Sequence, residues 1–164
     1  MQFEKLVNLI QESAYSLIEL TPNTTFDEIL NAGMIKTYRS SAKKQSQYHD
    51  GYHVGSKKQA LIRADFMLND EEKYDEYFLS ELILNTNKVY PKLGKDDGSD
   101  HGASYGKDLK DNYDIIVYKN TGEGTIEDEN LSLIILNPGV IVSTQLVKTL
   151  TPEYLLSLHD KLYS

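Results

Sequence analysis

The residues best able to do chemistry fall in two short stretches. In Tyr52-His53-Val54-Gly55-Ser56, a histidine ends a run of strand-forming residues and a glycine follows two positions later. A glycine lets a ligand reach backbone amide and carbonyl groups, which is how a flat carboxamide can be held. Ser56 then heads a helix whose N-terminal amides face the same place and favour an anionic group such as a pyrophosphate. In the second stretch, the strand ending at Asn120 delivers Glu123 onto a loop between Gly122 and Gly124. Small neighbours let substrate or backbone approach that carboxylate closely. The residues also allow plainer roles: His53 as a structural hydrogen-bonder, and the second loop as a hairpin whose acid faces water.

Other constellations point to less. His49 and His53 are four apart, a metal-ligand spacing on a helix, but Gly51 between them argues against a helix and no third ligand lies close by. Asp96-Asp97-Gly98-Ser99-Asp100 lacks the alternating acids and closing glutamate of a calcium loop. Gly102-Ala103-Ser104-Tyr105-Gly106 is not a G-x-S-x-G elbow. The chain has no cysteine, so disulfides, thiolate zinc sites and cysteine nucleophiles are excluded.

The elements that must position the two stretches follow from periodicity. Phe3, Leu6, Val7, Ile10, Ala14, Leu17 and Ile18 recur at helical spacing and predict an opening amphipathic helix that Thr21-Pro22 stops. Thr25 with Glu28 forms a capping box for a short second helix, and a strand is expected from Met34. Residues 39–47 are polar and read as a surface loop. Residues 51–54 read as a strand, and Ser56 with Gln59 caps a helix that puts Ala60, Leu61, Ala64, Met67 and Leu68 on one face. Residues 77–84 read as a central strand and 91–112 as a long loop, suited to a lid. Three more strands are expected at 113–118, 131–136 and 140–143, the last two as a meander around Asn137-Pro138-Gly139. Thr151 and Pro152 open a final helix with Tyr154, Leu155, Leu158 and Leu162 inward. The expected class is α+β, helices at both ends around a mainly antiparallel sheet.

A chain of 164 residues suits one domain, in three parts: 1–48 helical, 49–150 the β core and 151–164 the final helix. With 17 Lys plus Arg against 25 Asp plus Glu, the net charge of −8 disfavours nucleic acid as a partner. No run of about 18 apolar residues and no signal-peptide pattern occurs, which predicts a cytoplasmic protein without a membrane partner.

His53-Val54-Gly55-Ser56 with Ala60 and Arg63 behind it, the strand from Tyr113-Asp114 to Tyr118-Lys119-Asn120, Glu123-Gly124, and Leu133 to Ser143 together resemble the ADP-ribosyltransferase-like domains of phage and mobile-element proteins. The likeness spans about residues 51–144. It implies split antiparallel β-sheets with flanking helices, NAD as co-substrate, and mono-ADP-ribosylation of a host or defence-system protein. It gives His53 the contact to a ribose of NAD, Gly55 the nicotinamide carboxamide, and Glu123 the catalytic role. The cofactor-binding set implied is Tyr52, His53, Gly55, Ser56, Arg63, Tyr118 and Asn120, with Tyr118 or Tyr105 as the tyrosine that stacks on nicotinamide. Many enzymes of the superfamily carry their glutamate directly before the strand that here begins at Leu133; this chain has Ser132 there, so Glu123 must substitute. The alternative implied function is a non-catalytic module of the same fold that binds a nucleotide-like ligand or inhibits a protein partner.

Overall fold

A computed structural model describes residues 2–5, 17–42, 52–69, 74–94, 109–123 and 128–164. In chain order these form β1 (Leu17–Glu19), α1 (Phe26–Asn31), β2 (Met34–Ser41), β3 (Tyr52–Val54), α2 (Lys57–Leu68), β4 (Tyr77–Asn85), β5 (Ile115–Lys119), β6 (Leu131–Ile135), a 3-10 turn (Pro138–Val140), β7 (Ile141–Leu150) and α3 (Pro152–Leu162). The class is α+β. Most of the expected opening helix, His49, the acidic turn after Asn69, Tyr105 and Gly124 lie outside the described residues.

The strands make two sheets. One has the order β1-β2-β4-β7, with β1 parallel to β2 and the other pairs antiparallel; the second is antiparallel with the order β3-β6-β5. They meet where Tyr38 of β2 and Gly55, just after β3, exchange backbone hydrogen bonds of 2.7 and 3.0 Å. The main core fills the space between the sheets with residues such as Ile35, Leu82, Leu84, Val54, Val117, Leu133 and Ile135. A second cluster packs Ala60, Ala64 and Leu68 of α2 and Leu155 of α3 against Tyr38, Tyr77, Leu79 and Leu150. A third covers the other face of the small sheet with Ile116, Tyr118, Ile134 and Leu136. Strand β6 is therefore buried along its whole length, which is why its sequence reads as a continuous apolar run broken only by Ser132.

Helix starts follow the sequence closely. Thr25 and Glu28 form a reciprocal capping box at α1, as do Ser56 and Gln59 at α2, and Thr151 caps α3 ahead of Pro152. Three expectations are corrected. Leu17 and Ile18 belong to strand β1, because pairing with Met34 and Ile35 of β2 satisfies their backbone where a continuing helix would not reach the sheet. Residues 39–41 extend β2, since they pair with Phe78, Leu79 and Ser80. Strands β6 and β7 are not a meander: the Pro138–Val140 turn hands the chain from the small sheet to the large one.

Candidate functional site

The site grows from the face of the small sheet that points away from the main core. Side chains alternate along a strand, and directly opposed residues share a face. His53 lies opposite Ile134, and Tyr118 opposite Ser132, so His53, Tyr118 and Ser132 share this outer face. Asn120 follows two residues after Tyr118. Across this face His53 Nδ1 and Tyr118 Oη are 2.9 Å apart, and the rings meet edge to face with centroids 5.6 Å apart. Tyr52 goes the other way, into the core between the sheets, where the Arg39 guanidinium lies 3.8 Å over its ring.

From Asn120 a buried polar chain runs in both directions. Asn120 Nδ2 donates to Glu123 Oε2 at 3.0 Å and to Ser132 Oγ at 3.2 Å. Asn120 Oδ1 accepts from the Gly122 and Glu123 amides at 3.1 and 3.2 Å, which folds the loop back on itself. The Ser132 hydroxyl donates to Gln59 Oε1 at 3.0 Å, and the same oxygen accepts the Ser56 amide at 2.8 Å. The Ser56 hydroxyl accepts the Gln59 amide at 3.2 Å. Ser56, Gln59 and Ser132 are 1–2% exposed and Asn120 is 7% exposed. An unmet buried polar group costs about 1–3 kcal/mol, so a chain this buried holds its geometry firmly. Glu123 at its end is only partly buried. A carboxylate accepts only, which is why an amide serves here: Asn120 meets the backbone with oxygen and the acid with nitrogen.

Gly55 is occupied by the protein itself. A Cβ there would stand 2.3 Å from Gln59 Oε1, and both its backbone groups pair with Tyr38. The neighbouring His53 carbonyl accepts from Arg39 Nη1 at 2.7 Å. The backbone route that the sequence suggests for a carboxamide is thus taken up by internal contacts. Tyr38 in turn donates to Glu19 Oε1 at 2.5 Å; burial first, and then that bond, push its hydroxyl pKa well above the ordinary tyrosine range. Arg63 stands exposed on α2, outside this chain of contacts.

Of the residues singled out in the sequence, the fold gathers His53, Ser56, Tyr118, Asn120 and Glu123, and sets Tyr52 and Arg63 apart. Gln59 and Ser132 are the two members that sequence reasoning missed as site residues. Gln59 had a signal in its capping-box position, and Ser132 one as the single hydroxyl in an apolar strand. Among the described residues no three His, Asp or Glu side chains come together as metal ligands, and no helix is long and apolar enough to cross a membrane. No protein-family model, curated protein or solved structure matches the chain.

Proposed function

We propose that the outer face of the small sheet binds NAD and that the protein is a mono-ADP-ribosyltransferase acting on a host or defence-system protein in the host cytoplasm, as expected of a phage product. The observation that carries this is the buried chain from Ser56 through Gln59, Ser132 and Asn120 to Glu123, which positions a carboxylate, with Ser132 of that chain directly opposite Tyr118 of the His53–Tyr118 pair. Cleavage of the nicotinamide–ribose bond builds an oxocarbenium-like cation, and a carboxylate whose position is set in advance stabilises it without reorganising. Asn120 holds the Glu123 carboxylate through Oε2. His53, set on this face by its contact to Tyr118, is the side chain assigned to a ribose hydroxyl.

In this reading Gly55 is a structural residue, and recognition falls to side chains. The second reading, a module that binds a nucleotide-like ligand or a protein without transfer, is favoured by the internal pairing of the Gly55 backbone and by the burial of Ser132. Titration calorimetry with NAD separates them from a protein with no such site. Binding is expected, and His53→Ala should weaken it about 10-fold, the loss of one or two hydrogen bonds. Absence of NAD binding to the wild type would overturn the proposal.

A further inference from the structure

The unpaired amides and carbonyls at a sheet edge are a template for another chain, and folds ordinarily close such edges. In the two sheets, three of the four edges are closed or short. The free side of β5 takes the Tyr90 and Gly94 amides on its Ile115 and Val117 carbonyls at 2.8 and 2.7 Å. Strand β3 turns onto β2 through the Tyr38–Gly55 bridge, and β1 is only three residues long. The fourth edge is β7, ten residues that pair with β4 on one side and with no strand among the described residues on the other. Its run from Thr144 to Thr149 is exposed, with Leu146 at 45% and Val147 at 42%.

The usual guards of an open edge are few in β7. The strand holds no proline, and Lys148 is the only charged residue from Leu131 to Thr151. The Lys148 ammonium lies 3.5 Å over the Tyr154 ring, which draws it toward α3. Val142 and Val147 have no opposite residue on β4 and form bulges, which twist an edge strand. They bracket the run Ser143–Leu146, which pairs in unbroken register with Ser80–Ile83.

Charge selects the occupant. The chain carries a net charge of −8, so two copies repel wherever their acids face each other, and β7 brings no acid to such a contact. A pair of strands about a two-fold axis runs antiparallel and offers the same residues from both sides. For any axis within Ser143–Leu146, Lys148 falls opposite an uncharged residue, so no like charges are set against each other. We propose that β7 is a dimerisation edge, where a second copy of this chain lays its own β7 antiparallel to the first and joins the two large sheets into one. The outward backbone groups of the run then pair, and Leu146 and Val147 are covered. This goes beyond the NAD reading and does not depend on it.

Sedimentation equilibrium of the full chain is expected to show a monomer–dimer equilibrium in the micromolar range. Hydrogen exchange at high and low protein concentration should show amides of residues 143–149 slowed in the dimer. Leu146→Asp brings an acid close to its own copy and should weaken the dimer about 10-fold, with the circular dichroism spectrum of wild type. Leu146 is half covered within its own chain, so Val147→Asp is a second variant held to the same result. Raising salt from about 0.05 to about 0.5 M screens the repulsion between copies and should tighten the dimer. Wild type that stays monomeric up to about 1 mM overturns the proposal. So does a dimer whose β7 amides exchange as they do in the monomer, one that both folded variants leave unchanged, or one that salt loosens.

Discussion

Gly55 and Glu123 stand at opposite ends of one hydrogen-bonded chain, and the chain treats them differently. Around Gly55 the backbone is satisfied internally: Tyr38 pairs with both its groups, and the Gln59 side chain fills the space a side chain would need. Around Glu123 the Asn120 amide sets the loop and one carboxylate oxygen, and the acid remains partly exposed. A glycine beside a histidine thus answers a packing need inside the fold, whereas the carboxylate is the member presented outward. The lesson is that one polar network can serve as foundation at one end and as working surface at the other.

Breaking the foundation should have the largest effect on stability. Gln59→Leu strands the Ser56 amide and the Ser132 hydroxyl in a buried place, and should lower the unfolding free energy by about 3 kcal/mol in urea titrations. A loss under about 1 kcal/mol would mean that the closed end is not held by this chain. Gly55→Ala presses a methyl on Gln59 Oε1 and should cost about 2 kcal/mol, because that oxygen can move only by releasing two buried hydrogen bonds. Melting that matched wild type would show that the glycine is not needed there.

The smallest effect belongs to Tyr163, which follows α3 and donates to Asp65 of α2. The Tyr163 pKa is raised from 10.0 to about 12 in the fold. A group raised on folding lends stability that is full below its unfolded pKa and is lost as pH climbs through the folded one. Stability should therefore decline between about pH 10 and 12, and Tyr163→Phe should decline less across that window in thermal melts. An equal decline in both proteins would remove Tyr163 from the account.

Much of this arrangement was legible in the sequence where local chemistry decides. The capping pairs Thr25–Glu28 and Ser56–Gln59 and the cap Thr151 declare themselves by spacing. The strands around His53 and Glu123 do so by apolar runs. Partnerships between distant residues were not legible: nothing local tells that Ser132 will lie 3.0 Å from Gln59, or that Tyr38 will occupy the Gly55 backbone. Leu17 and Ile18 fit a helical stripe, yet tertiary pairing with β2 overrides that pattern. Asp65 and His159, 94 positions apart, gave no joint signal at all.

The central claim is that Glu123, held by Asn120, carries ADP-ribosyl transfer. The direct measurement is incubation of wild type and Glu123→Gln with labelled NAD and a host lysate, alongside urea unfolding of both. Acceptor labelling by wild type that Glu123→Gln loses, with stability changed by less than about 1 kcal/mol, is the predicted result for a partly exposed acid. Labelling that survives Glu123→Gln would contradict the assignment of this carboxylate.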